Sequence, residues 1–187
     1  PVRPGYEGGH ELARSFYVHC MSASNLSNAT PASVPDSPGV IVFPPLLYVG
    51  TLLVGVGLNW VWPAPFLMGG ATWARWAGGA LILASGFVAH WASRTMREAG
   101  TNVLPSKPAL TLVTNGPFRF TRNPLYVMNA LVYLGLTLIL NSAWLLGLFV
   151  PMLLVIYWGI IRREERYLEA KFGEAYLAYK ARVRRWI

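Results

Sequence analysis

Long stretches without a charged side chain dominate the carboxy-terminal three quarters of the chain. None falls between Gly39 and Ala74, and Val40 to Trp62 alone matches the roughly 20 apolar residues that a helix needs to cross a hydrocarbon core. Prolines bracket that stretch, Pro44-Pro45 near its start and Pro63 and Pro65 after its end, where backbone groups can reach water. Trp60, Trp62, Trp73 and Trp76 then gather around the connection, as an interfacial aromatic belt would. A second uncharged stretch runs from about Trp76 to Ser93, with His90 near its end. From Asn123 to Ile161 there is again no charge, and one helix of that length would overshoot a bilayer, so the chain must fold back. Asn141-Ser142 is the polar dipeptide near the middle of the run. It predicts a hairpin between a span over 125–140 and a span over 143–161, with Pro151 as a kink.

Beyond Ile161 the pattern changes period. Leu168, Phe172, Tyr176, Tyr179 and Val183 recur every three or four residues, which predicts an amphipathic helix lying at the headgroup level or over the bundle, with Gly173 a weak point in it. The expected fold is therefore all-α: an integral membrane bundle of about four transmembrane helices with a carboxy-terminal amphipathic helix. The Ser/Asn/Pro-rich residues 1–38 read as a flexible leader. Within it, residues 1–20 are set aside from fold reasoning, and the glycosylation sequons at Asn25 and Asn28 are taken as chance matches. Residues 39–187 make one domain.

Composition supports lipid as the solvent: 54% of residues are hydrophobic and 13% charged, against about a quarter charged in soluble domains. A net charge of +8 would suit nucleic acid, but the polar domain such a binder needs is missing. Placement explains the cations better. Arg94 to Arg122 and the tail from Arg162 hold thirteen of the sixteen, whereas the first loop has Arg75 alone and the Asn141 turn none. Basic loops stay cytoplasmic, so both polar segments are expected on the cytoplasmic face of a bacterial inner membrane. The lone cysteine, Cys20, excludes an internal disulfide and a zinc cluster, and no metal site is expected.

The hairpin carries a geometric consequence. It returns the chain to one membrane face, so the segment before it (Gly116-Pro117-Phe118 and Arg122-Asn123-Pro124-Leu125-Tyr126) and the segment after it (Glu164-Glu165, Leu168, Phe172-Gly173) should share a pocket, with Arg122 near Glu165. Taken singly, these residues have plain structural uses. Arg119, Arg162, Arg163 and Arg166 suit topological anchors, the glutamates suit helix ion pairs with Arg162 or Arg166, Gly116-Pro117 suits a turn, His90 suits packing, and Tyr176 and Tyr179 suit interfacial anchors.

Taken together and in order, the Gly-Pro-aromatic turn, the Arg-Asn-Pro-x-Tyr motif, the helical hairpin, the Glu-Glu pair with Leu168, and Phe172-Gly173-x-x-Tyr176-x-x-Tyr179 resemble the isoprenylcysteine carboxyl methyltransferase family and its phospholipid methyltransferase relatives, over roughly 99–187. The resemblance implies S-adenosylmethionine as cofactor, a pocket built from 99–126 and 158–187, and methyl transfer to a lipid-like or isoprenoid carboxylate, thiol or amine. On the same basis Leu112, Val113, Gly116, Pro117, Phe118, Arg122, Asn123, Tyr126, Glu164, Glu165 and Leu168 are expected to bind the cofactor, with Arg122 and Glu165 as the catalytic pair. Many eukaryotic members carry His where Asn123 stands, and an amide cannot hold a proton charge near neutrality, so proton transfer is not carried over to it. Direct displacement needs alignment more than an acid/base dyad. Two other readings stay open: a membrane reductase of the sterol type using NADPH, and a non-catalytic membrane subunit or small transporter, whose mark would be ionisable residues inside the spans.

Overall fold

The computed structural model describes residues 44–67, 72–104 and 107–186, and their regular structure is entirely helical. The expected leader, with Cys20, Asn25 and Asn28, and the first residues of the first expected span lie outside the described residues. Helix α1 is Pro44–Val61, α2 is Thr72–Glu98, α3 is Pro124–Leu140 and α4 is Ala143–Ile156. A π-helical turn, Tyr157–Ile161, runs α4 directly into α5, Arg162–Phe172, and α6 follows as Glu174–Arg182.

Two helical stretches are long and apolar enough to cross a membrane: α1, with 18 residues, and Ala143–Phe172, with 30. The other two expected spans fall short of that measure for different reasons. Helix α3 is apolar but has 17 residues. Helix α2 is longer than the sequence suggested, at 27 residues, because it extends past the uncharged stretch to take in Arg75 at one end and Arg94, Arg97 and Glu98 at the other.

The hairpin forms where expected. Asn141 adopts a left-handed conformation (φ 48°) that ends α3, and the Ser142 hydroxyl caps α4 by accepting from Leu145 N. The Asn141 amide also ties down the α1–α2 connection, donating to Leu67 O and accepting from Leu67 N, both at 2.9 Å. Ala143 N donates to Ala64 O at 2.7 Å and Trp144 Nε1 to Trp62 O at 2.8 Å, so both connections close the same end of the bundle. Trp60, Trp62, Trp73 and Trp76 stand exposed around it.

Helices α2 and α3 cross where glycines meet. A Cβ on Gly78 would lie 2.5 Å from Gly135 O, and one on Gly135 would lie 2.7 Å from Gly78 O, so neither position accepts a side chain without moving backbone. Helix α1 packs on α4 through Gly55 against Leu145. The core between them is Tyr133, Leu145, Met152, Ile156, Ile160 and Ile161, with Tyr48 and Tyr126 toward the polar end. Outward faces stay apolar, as Leu46, Leu53, Val61, Leu83, Val150 and Val155 illustrate.

Pro151 lies inside α4, and the pitch of the helix changes at Tyr157–Ile161. The expected tail needs correction. The single amphipathic tail helix is two helices, because Gly173 at φ 51° and ψ −129° breaks the ladder. The periodic stripe survives the break: Tyr176 and Tyr179 are buried, so they are core residues of the tail's inner face and not interfacial anchors.

Candidate functional site

The amino end of α1, the carboxy end of α2, the amino end of α3 and the start of α5 converge opposite the tryptophan end. Between them, residues 101–104 and 107–113, and α6 lies a cavity of about 370 Å³, within the range of small-molecule sites. Its wall is mainly apolar, from Met96, Leu112, Val113, Leu125, Met128 and Leu168, with a few polar groups converging on it.

Arg122 and Glu165 meet as the hairpin argument required. Arg122 Nη1 lies 3.0 Å from Glu165 Oε1, and the two side chains are 9% and 7% exposed. The sequence reading missed the second cation on this carboxylate. Arg185 grips it with a two-pronged fork, Nε to Oε1 at 2.8 Å and Nη2 to Oε2 at 2.7 Å. The third nitrogen of Arg185, Nη1, donates to the Tyr157 hydroxyl at 3.0 Å, with the guanidinium 4.9 Å from that ring's centre. The hydrogen bond to Glu165, more than any other contact, raises the pKa of Arg185 above its ordinary value. The glutamate's partners are therefore neither Arg162 nor Arg166.

Backbone contacts explain how a residue so near the end of the chain reaches the site. After α6 the chain lies along the segment before α3: Arg122 N donates to Arg184 O, and both Thr121 Oγ1 and Asn123 Nδ2 donate to Arg185 O, each at 3.0 Å. Asn123 thus clasps the tail with its amide. No residue pattern before α3 announces this clasp. A signal did exist in the arginine pair Arg184-Arg185 beside Trp186, which packs on the core.

Glu164, adjacent in sequence, has a different setting. It accepts from the Tyr126 hydroxyl at 2.9 Å and lines the cavity. Burial, helped by the Glu165 charge, outweighs the Arg122 cation and pushes the Tyr176 pKa up to about 12, so the phenol stays neutral. Tyr179 donates to Phe118 O at 2.8 Å, fixing α6 on the turn before α3. The loop wall is held by Tyr167, whose hydroxyl accepts from Ala109 N at 3.3 Å and from Lys171 Nζ at 3.0 Å.

Of the expected cofactor residues, Leu112, Val113, Phe118, Arg122, Asn123, Tyr126, Glu164, Glu165 and Leu168 line the cavity. Gly116 and Pro117 stand apart from it. Gly116 opens a 3-10 turn, Gly116–Arg119, at φ 57°, and a Cβ there would come 2.6 Å from Thr95 Oγ1 and 3.2 Å from Trp91 Nε1. Its close approach is to α2. His90, on α2, is exposed.

Arg122 offers a direct test of whether these residues suit S-adenosylmethionine, an amino acid joined to a nucleoside through a sulfonium. Its Nε and Nη1 are buried without a hydrogen-bond partner; Nη1 sits at ion-pair distance from Glu165 but outside hydrogen-bonding geometry. An arginine on an apolar cavity with donors to spare fits a carboxylate, and Glu164 fits an ammonium or ribose hydroxyls.

A model of the family described as phospholipid methyltransferase matches residues 73–175, more than half the chain. The cobalt-zinc-cadmium resistance protein CzcN of Cupriavidus metallidurans is 39% identical over 64 residues, covering 34% of this chain and 30% of that protein. An uncharacterized protein of Haemophilus influenzae is 47% identical over 65 residues, covering 34% of this chain and all of that one. The chain thus spans under a third of the first relative's length. No solved structure matches it. The matched region runs from the start of α2 through both halves of the charged cavity to α6, and the chain belongs to the phospholipid methyltransferase family.

Proposed function

We propose that this membrane protein transfers a methyl group from S-adenosylmethionine to a lipid-like or isoprenoid small molecule bearing a carboxylate, thiol or amine. The observation that carries the reading is the apolar cavity in which Arg122, Glu164 and Glu165 converge from the two sides of the α3–α4 hairpin, inside the region matched by the family. When bound, the cofactor supplies a methyl group on a positively charged sulfur.

The chain's own residues would bind and orient. Arg122 would hold the carboxylate of the amino acid end, and Glu164 the ammonium or ribose hydroxyls. Leu112, Val113 and Leu168 would flank the adenine, and Tyr126 would keep Glu164 aimed into the cavity. The apolar wall excludes water, which strengthens each of these polar contacts. Alignment of acceptor, methyl and sulfur is then the main contribution to rate, and no general base among the site residues is required.

The same reading places all four long helices in a bilayer, with α2 and α3 as tilted or flanking spans and the cation-rich cavity end facing the cytoplasm. A lipid substrate would enter beside Pro44, Pro45 and Met128, which line the cavity at the outer helices. No cluster of three His, Cys, Asp or Glu that could hold a metal occurs among the described residues.

Membranes containing the protein, incubated with S-adenosylmethionine labelled in its methyl group, test the proposal. Label is expected in the organic-extractable fraction, and to fall at least tenfold with Glu164→Gln, since a lost hydrogen bond to a charged group is worth about 1.5–3 kcal/mol. Extracts unlabelled above membranes lacking the protein would count against a lipid acceptor.

A further inference from the structure

Charge does not balance around Glu165. One carboxylate faces two guanidiniums; the Arg122 and Glu165 side chains are buried and that of Arg185 is 27% exposed. A buried excess positive charge is costly unless something compensates it. Among the described residues no second carboxylate pairs with Arg122 directly. Glu164 accepts from Tyr126 and forms no ion pair with Arg122, and the Tyr176 phenol beside Arg122 is neutral.

The two arginines also share the carboxylate unequally. Arg185 takes both oxygens with the parallel fork that suits a guanidinium, and its position is fixed twice more, by the Tyr157 hydroxyl and by the clasp of its own carbonyl on Thr121 and Asn123. Arg122 approaches one oxygen that Arg185 already engages, and is left with Nε and Nη1 unbonded while lining the cavity. Tyr157 itself lies in the π-helical turn, a local widening of the helix often found at functional sites.

We propose that Arg185 is a positioning residue: by occupying both oxygens of Glu165, it keeps Arg122 available to receive an anionic oxygen group inside the cavity. Without Arg185, Glu165 would turn its fork to Arg122 and neutralise it. The anion is a carboxylate or a phosphate, and two sources present that chemistry: the amino acid end of the methyl donor, or an acidic substrate headgroup. The first source rests on the methyl-donor reading; the second does not.

The test uses the purified full chain in detergent and compares ligands with and without the anion. Affinities for S-adenosylhomocysteine, for 5′-methylthioadenosine, which lacks the carboxylate, and for phosphatidate are measured in wild type, Arg122→Gln, Arg185→Gln and the double variant. Each single variant is expected to lose about tenfold in affinity for the anion-bearing ligand, with methylthioadenosine unaffected and the double variant no worse than the singles, as expected of residues acting on one contact. Because loss of Arg185 could loosen the tail as a whole, Tyr157→Phe supplies a milder arm. It removes one anchor of Arg185 and should lower the same anion-dependent affinity by a smaller factor at unchanged thermal stability.

A carboxylate effect in S-adenosylhomocysteine assigns the anion to the donor, and an effect confined to phosphatidate assigns it to the substrate. Nucleoside binding in which neither anion-bearing ligand responds to Arg122 or Arg185 overturns this inference and leaves the methyl-donor reading standing. Response of phosphatidate with no nucleoside binding at all does the reverse.

Discussion

Glu164 and Glu165 are neighbours in sequence, yet they should answer differently to the same change. Glu165 is enclosed between Arg122 and Arg185, so Glu165→Gln strands the buried Arg122 guanidinium and frees the part-exposed Arg185, and is expected to cost about 3 kcal/mol of stability, read by denaturant or thermal unfolding. Glu164 has a tyrosine hydroxyl as its donor, so Glu164→Gln keeps the fold and lowers affinity for the nucleoside ligand. That difference was not legible in the Glu-Glu pair. Fold-back alone brought Arg122 to Glu165, because it depends only on run length and one polar dipeptide. The decisive third partner, Arg185, lies twenty residues further on, past a glycine break whose direction no periodicity encodes. Gly116 shows the same limit: Gly116-Pro117 was legible as a turn, but what approaches the glycine, Thr95, comes from another helix.

At the scale of elements, the length of the uncharged run with its one polar dipeptide predicted the hairpin, and the period of apolar residues predicted the stripe of the tail, because both are local properties of the chain. Neither gave the length of α2 or the crossing of α2 and α3, which depend on a partner surface. That crossing makes a signed prediction. Gly135→Ala places a methyl group against the backbone of Gly78 and should destabilise by about 1–3 kcal/mol, the range for overpacking. Gly79→Ala, one position along from the contact with nothing within 4 Å, should be neutral or stabilising by up to about 1 kcal/mol, since it only removes backbone freedom. Thermal unfolding in one detergent ranks the pair. Ser142→Ala removes the α4 cap and should cost about 1 kcal/mol by the same measurement.

The described helices, taken together, have two unlike ends. One is closed by Trp62, Leu67, Asn141 and Trp144 and fringed with exposed tryptophan; the other holds the cavity and most of the cations. This polarity was legible in the sequence because it lies in the placement of charge between apolar runs. Orientation follows as a prediction: in a Cys20→Ser background, a membrane-impermeant thiol reagent should label Arg75→Cys from outside intact bacterial cells and Arg119→Cys only after they are permeabilised. Both side chains are exposed, so burial would not mask either site.

Cofactor identity is the claim on which the rest depends, and calorimetric titration of the purified wild-type chain reaches it most directly. S-adenosylhomocysteine should bind saturably at one site, and Glu164→Gln should weaken it about tenfold or more, the factor for a lost charge-assisted hydrogen bond. Saturable heat with NADPH and none with S-adenosylhomocysteine would contradict the methyl-donor reading and turn the cavity over to reduction chemistry.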